Sequence, residues 1–295
     1  MDKFIVVGDL HLSNKAPSSR TDPNFLATCQ NKLTQILEAS QQPDITALLL
    51  LGDLFNSPCP SYPVLIMFIT SFLQKVGCPI YTIVGNHDVF SRSMKTMERT
   101  ALFLLQSTTK LTVISPMFTP YVLFPETCIY ISEKPETDKI PVEMVHELLT
   151  EELEFAGTIP ASDYRTEAEI VISGHYHPGF KKEVNGKLFL NPGSLLRTNI
   201  SEQDRQPYFA ILTPKTKEYE LIEIHVLGES TFNPQAANVI DVESLRTCLA
   251  LFSREQVSLS IESLVQEVGL QNNFSNQVIQ EVLKRLNADR DQVAT

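Results

Sequence analysis

The sequence predicts an α/β protein: a mainly parallel sheet with helical crossovers, then a second, more antiparallel sheet, then a helical C-terminal region. Three observations lead there. Near-continuous Val, Ile and Leu runs recur, as strands covered on both faces require. Stretches with one apolar stripe at helical spacing separate the first three runs. Each run ends in Gly, Asp, Asn or His, at the strand end where ligands bind in such sheets.

The runs are KFIVVGDLH at 3–11, TALLLLGDLF at 46–55, PIYTIVGNHD at 79–88, IPVEMVH at 140–146 and EIVISGHYH at 169–177. Between the first two, Phe25, Cys29, Leu33, Ile36 and Leu37 form one helical stripe. Tyr62 to Val76 and Met94 to Leu105 read the same way. In the second half YVLF, CIYI, FKKEV, KLFLN, YFAIL and EYELIEIHV are short strands of a second sheet. Asn185-Gly186 between FKKEV and KLFLN is a hairpin turn. After Gly228 three apolar stripes follow, through Leu245, Leu249 and Phe252, through Ile261, Leu264, Val265 and Val268, and through Val278, Val282 and Leu286. The expected division is therefore 1–228 for the α/β domain and 229–295 for a helical appendage.

The bulk numbers narrow the class. The chain has 295 residues, 43% hydrophobic and 20% charged, the profile of a globular protein with a sizeable core. No apolar run reaches the ~18 residues of a membrane span, and Met1-Asp2-Lys3 leads straight into a strand. The expectation is a cytoplasmic protein without signal peptide or membrane partner. Five dispersed cysteines without a C-x-x-C pair argue for reduced thiols. A net charge of −11 excludes a broadly basic nucleic-acid coat, but not a local basic groove or an acidic site offset by cations.

Five of the six histidines fall at strand ends. The ordered set is Asp9-x-His11, Gly52-Asp53, Gly85-Asn86-His87-Asp88, His146 and Gly174-His175-x-His177. His225 lies outside it, in an alternating strand, and reads as structural or surface-facing. Carboxylate and imidazole donors suit Mn, Zn or Fe.

This ordered set resembles the signature of the calcineurin-like metallophosphoesterase superfamily: D-x-H, GD, GNH[D/E], H and GHxH. The resemblance covers about residues 3–225 and implies a four-layer αββα sandwich. It implies two divalent ions, Mn²⁺ by family habit with Zn²⁺, Fe²⁺ or Mg²⁺ as alternatives. Asp9, His11 and His177 would hold one ion, and Asn86, His146 and His175 the other. Asp53 would bridge them, giving one oxygen to each. Two such ions clamp the attacking and leaving oxygens of a phosphoryl displacement by an activated water. His87 would steady the developing charge or protonate the leaving oxygen, and Asp88 would orient His87. Asn56 stands where many members have Asp, a position that is not a ligand.

GDLFNSPCPSY and NPGSLLRTNISEQDRQPYFAIL resemble, more narrowly, DNA nuclease subunits of the Mre11/SbcD type. That implies DNA as substrate, an exo- or endonuclease activity in repair, recombination or replication, a homodimer, and an SMC-like (Rad50/SbcC-type) ATPase partner. The C-terminal helices would dock that partner or act as a lid. The NPGS turn at 191–194 reads as loop chemistry or a substrate-side loop. Arg92, Lys95 and Arg197 are the candidate substrate contacts, among further basic residues Arg99, Lys181, Lys182 and Arg205; Phe90 and Phe180 are candidate base-stacking rings. A small-molecule phosphodiesterase or phosphatase of the same superfamily is the alternative.

Overall fold

The computed structural model describes residues 1–154, 157–226 and 232–233. The helical appendage expected at 229–295, with its boundary after 228, lies outside them apart from Phe232 and Asn233.

In chain order the strands are β1 (Phe4–Val7), β2 (Ala47–Leu50), β3 (Ile80–Thr82), β4 (Leu111–Val113), β5 (Tyr121–Leu123), β6 (Thr127–Tyr130), β7 (Ile140–Val145), β8 (Leu149–Thr150), β9 (Ile159–Pro160), β10 (Ile170–Ser173), β11 (Phe180–Val184), β12 (Lys187–Asn191), β13 (Tyr208–Thr213) and β14 (Glu218–Glu223). The α-helices are α1 (Phe25–Ala39), α2 (Tyr62–Met67), which continues as a π-helical stretch over Phe68–Leu73, and α3 (Ala101–Thr108). The expected helix over Met94 to Leu105 is broken. A 3₁₀ turn runs over Met94–Arg99, and Thr100, extended at φ −111°, caps α3 by accepting the Phe103 N–H.

Two six-stranded sheets form the centre, in the orders β14-β13-β1-β2-β3-β4 and β11-β12-β10-β7-β6-β5. The first is parallel from β1 to β4. YFAIL and EYELIEIHV do not join the second sheet as expected: β13 pairs antiparallel with β1, and β14 with β13. The second sheet is less antiparallel than expected. β12, β10, β7 and β6 are parallel, and only the edges β11 and β5 run against their neighbours. The β11–β12 hairpin turns on Asn185 (φ 52°) and Gly186 (φ 76°), both left-handed, as its two-residue loop demands.

The alternation of each strand sets the layers. Ile5 and Val7 of β1 join α1, Phe68 and Leu102 in one core, while Phe4 and Val6 join Val142, Met144, Ile170 and Ile172 of the second sheet in another. Fully burying one such side chain is worth about 1.5–3 kcal/mol. The outer face of the second sheet packs Tyr130, Val145, Val171 and Phe189 against Leu149, Ala161 and Ala168. That outer layer, among the described residues, is the β8–β9 ladder with its turns. The mixed α/β architecture with two central sheets is as expected. It aligns the carboxyl ends of β1, β2, β3, β7 and β10, and the polar clusters follow those ends directly. No helix among the described residues is long and apolar enough to cross a membrane.

Candidate metal centre

Asp9 and His11 follow β1, Asp53 follows β2, Asn86 to Asp88 follow β3, His146 follows β7, and His175 and His177 follow β10. Their loops must pack closely for the side chains to meet. A Cβ at Gly85 would lie 2.1 Å from Asp53 Oδ1, so only glycine lets these two loops touch. His11, Asp53 and His175 have φ of 45°, 47° and 72°. Non-glycine residues held there cost on the order of 1–3 kcal/mol each, and such strain gathers at functional sites.

The side chains converge. His11 Nε2 lies 2.9 Å from His177 Nε2, and 3.8 Å from both Asp9 Oδ2 and Asp53 Oδ2. His177 Nε2 is 3.6 Å from Asp9 Oδ2. On the other side His146 Nε2 lies 3.3 Å from Asp53 Oδ2 and 3.1 Å from Asn86 Oδ1. Donor atoms of Asp9, His11 and His177 lie within 4.8 Å of one another, as do those of Asp9, Asp53, His146 and His175, and of His11, Asp53 and His87. One oxygen of Asp53, Oδ2, faces both the His11 and the His146 side. The other oxygen, Oδ1, accepts the His87 N–H at 2.7 Å and keeps a further lone pair.

Backbone and carboxylate acceptors fix which imidazole nitrogen faces the centre. His146 Nδ1 donates to Leu51 O at 2.7 Å, and His177 Nδ1 to Glu202 Oε1 at 3.1 Å. Both leave Nε2 turned inward, the arrangement metal-ligating histidines use. Asp9 is held by the His175 N–H, 3.0 Å from Oδ1 and 3.2 Å from Oδ2.

The donor set fits divalent cations. Asp9 and Asp53 are 2% and 1% exposed, and two buried carboxylates need compensating charge. Protons supply part of it where no cation is bound. Burial opposes protonation of His146, yet Asp53 and Asp9 push it up to about 10. Burial likewise opposes the His177 imidazolium, and Glu202 and Asp9 raise it. Burial, the His177 charge and His87 hold His11 well below the usual range, despite Asp53. Burial and His146 push His175 down to about 3, despite Asp53. Two facing Nε2 atoms at 2.9 Å repel unless a proton or a cation lies between their lone pairs. Carboxylate, imidazole and amide oxygen together suit Mn, Zn or Fe.

A model of the calcineurin-like phosphoesterase superfamily domain matches residues 3–217. The chain belongs to that superfamily. No curated protein matches the sequence. Among solved structures, an archaeal phosphodiesterase is 18% identical, covering 75% of this chain and 99% of its own, with a TM-score of 0.41. Vps29 of Entamoeba histolytica, complexed with zinc, is 15% identical over 76% of this chain and 99% of its own, TM-score 0.35. Vps29 of Chaetomium thermophilum is 14% identical over 79% and 91%, TM-score 0.39. At such distances they say nothing of activity. As a calcineurin-like phosphoesterase, the chain belongs among metal-dependent hydrolases.

In this phosphoesterase Asp88 differs from expectation. Its Oδ1 accepts the Leu54 N–H at 3.1 Å and its Oδ2 the Gly85 N–H at 2.9 Å. It ties the loop after β2 to the loop after β3 and makes no hydrogen bond to the His87 ring. Burial and the Asp53 charge push its carboxyl up to about 7. The His87 ring instead meets Asn56, whose carbonyl lies 3.3 Å from Nδ1. A carbonyl only accepts, so Nδ1 is the donor there.

The basic candidates divide. Arg92 and Lys95 are exposed, and the Arg92 charge is felt at His175. Arg197 hydrogen-bonds Gln203 O and lies over the Phe232 ring, 5.4 Å from its centroid. Arg99 covers Phe90, Lys181 covers Tyr219, Lys182 donates to Glu151 O, and Arg205 donates to Ser194. Phe180 packs near Tyr176. His225 is exposed, as expected.

Sequence reasoning missed Glu202. It is 4% exposed, and besides His177 it accepts the N–H groups of Thr198 (2.7 Å) and Asn199 (2.8 Å). Burial works against its charge, but His177 and Arg205 hold it down to about 2. The available signal was Asn199-x-x-Glu202, a capping box that the structure forms. The NPGS turn is a support: Ser194 N–H donates to His177 O at 3.0 Å and Leu195 N–H to Asp9 O at 2.8 Å.

Proposed function

We propose that this phosphoesterase is a two-ion DNA nuclease of the Mre11/SbcD type, cutting phosphodiester bonds in repair, recombination or replication. The observation that carries the two-ion reading is Asp53 Oδ2, 3.8 Å from His11 Nε2 and 3.3 Å from His146 Nε2. Asp9, His11 and His177 would hold one ion, Asn86, His146 and His175 the other, and Asp53 both. Divalent ions bound there supply Lewis acidity and lower the pKa of a water. The DNA reading rests on the likeness of GDLFNSPCPSY and NPGSLLRTNISEQDRQPYFAIL to that nuclease type.

The chain's own residues divide the work. Glu202 and Leu51 O hold the His177 and His146 rings. His87 stands at the edge of the cluster, its ring centroid 4.9 Å from that of His11. With Nδ1–H held by Asn56 O, a protonated His87 has its Nε2–H for the leaving oxygen. Arg92, Lys95 and Arg197 would track the substrate backbone. The ions would be Mn²⁺, the assembly a homodimer, and the partner an SMC-like ATPase met through the C-terminal region.

The net charge of −11 favours a second reading, a small-molecule phosphodiesterase with the same centre. The test is hydrolysis of labelled single- and double-stranded DNA and of bis-p-nitrophenyl phosphate with Mn²⁺, wild type beside His87→Ala. DNA cleavage lost in the variant supports the nuclease. Cleavage of the small diester alone, with and without a partner ATPase, moves the function to the second reading.

A further inference from the structure

The loop over 194–202, between β12 and β13, is tied at two sets of points. One set is the metal centre. The Ser194 N–H donates to His177 O and the Leu195 N–H to Asp9 O. Glu202 joins the Thr198 and Asn199 N–H groups to His177 Nδ1. The other set is the turn before α1. The Arg197 carbonyl accepts from Arg20 Nη1 at 3.2 Å, and the Thr198 carbonyl from the Ser19 hydroxyl. Arg20 is buried and grips Asp22 with two hydrogen bonds, 2.7 Å from Nε to Oδ2 and 2.8 Å from Nη2 to Oδ1. Asp22 is fixed in turn by Thr28 Oγ1 of α1, at 2.9 Å.

A side chain from beyond β14 closes this arrangement. The Phe232 ring lies against both guanidiniums, its centroid 4.9 Å from Arg20 Cζ and 5.4 Å from Arg197 Cζ. Its backbone is held in register: Arg20 and Phe232 form an antiparallel bridge, and the Asn233 N–H donates to Ser19 O at 2.8 Å. An aromatic face attracts a cation, so this one ring draws together two like charges that repel each other. An aliphatic side chain of similar bulk has no such face.

We propose that Phe232 is a positioning residue of the metal centre. Its ring holds Arg20 and Arg197 together, they fix the 194–202 loop, and the loop sets His177 and Asp9 for their ion. The inference rests on the reading of Asp9, His11 and His177 as the ligands of one ion. His146 is held instead by Leu51 O, so the ion on its side should be spared.

The test is calorimetric titration of the full chain with Mn²⁺, wild type beside Phe232→Leu and Phe232→Tyr. Leucine keeps most of the bulk and removes the ring face, whereas tyrosine keeps both. Phe232→Leu should weaken one of two ion-binding steps about tenfold, the worth of one or two ordinary ring–cation contacts, and leave the other step unchanged. Phe232→Tyr should bind as wild type does. Amide exchange with a chelator present is the second readout: the Thr198 and Asn199 N–H groups should exchange about tenfold faster in Phe232→Leu. Thermal melting checks the fold of each variant. Two ions bound alike by wild type and Phe232→Leu would overturn the role of Phe232 and leave the two-ion reading intact. So would both steps weakened equally, which marks a general loosening, or a tyrosine variant as weak as the leucine one. Unaltered amide exchange would overturn it too. One ion bound by wild type, with an affinity that still falls in Phe232→Leu, would sink the two-ion reading and keep Phe232 in its role.

Discussion

Glu202 Oε1 lies 3.1 Å from His177 Nδ1, so a carboxylate twenty-five residues beyond the last motif histidine sets the tautomer of a metal-site imidazole. With Nδ1 donating outward, only Nε2 is available to the centre. Carboxylate–imidazole pairs of this kind typically alter metal affinity 10–100-fold when broken.

Glu202→Gln should therefore weaken divalent-ion binding by about 10–100-fold while the chain stays folded. Glu202→Ala should also lower stability by about 1–3 kcal/mol, because the Thr198 and Asn199 N–H groups lose their acceptor. Ion titration by calorimetry and urea unfolding read the two effects separately.

Asp88 acts on the backbone. Asp88→Asn leaves one of the Gly85 and Leu54 N–H groups facing an amide NH₂, and should cost about 1–3 kcal/mol of stability. A variant as stable as wild type but slowed in catalysis would return Asp88 to the role of orienting His87.

His87→Ala should behave in the opposite way. Stability and ion uptake stay near wild type, while phosphodiester hydrolysis falls by about 10²–10⁴. Parallel measurement of bound ions and of kcat distinguishes the lost acid from a lost ligand.

Metal loading should release protons. Against burial, Asp53 and Asp9 hold His146 up to about 10, where 6.5 is ordinary. A raised histidine contributes stability that is complete below about pH 6.5 and lost as pH rises through about 10. The metal-free chain should lose that contribution across this window. Ions binding at 100 times Kd add about 2.7 kcal/mol, must expel the proton, and so bind more tightly as pH rises within it. Melting temperatures with Mn²⁺ or a chelator, from pH 6.5 to 9, measure both.

Much of this was legible in the chain. The runs ending at Gly8, Gly52, Gly85 and Gly174, and the run ending at His146, are local signals; the family resemblance carried by their order implied Asp9, His11, Asp53, Asn86, His146, His175 and His177, and the fold brings these together. The partners of β13 and β14 were not legible: antiparallel pairing to β1 is a contact across some two hundred residues, and alternation says nothing of which sheet receives a strand. The break at Thr100 hides in a continuous apolar stripe, because a β-branched cap lowers helix propensity only slightly. Asp88 misled because a carboxylate beside a histidine reads as its partner, whereas the turn at Gly85 directs it to two backbone N–H groups. Glu202 was hidden because its capping box accounts for the residue without the metal site.

The most direct measurement of the central claim, one centre of two ions joined by Asp53, is hydrolysis of bis-p-nitrophenyl phosphate against Mn²⁺ equivalents per chain, wild type beside Asp53→Asn. With two ions joined by Asp53, the rate should climb until about two ions are bound and should be lost in the variant. Saturation at one ion, or undiminished hydrolysis by Asp53→Asn, would contradict it.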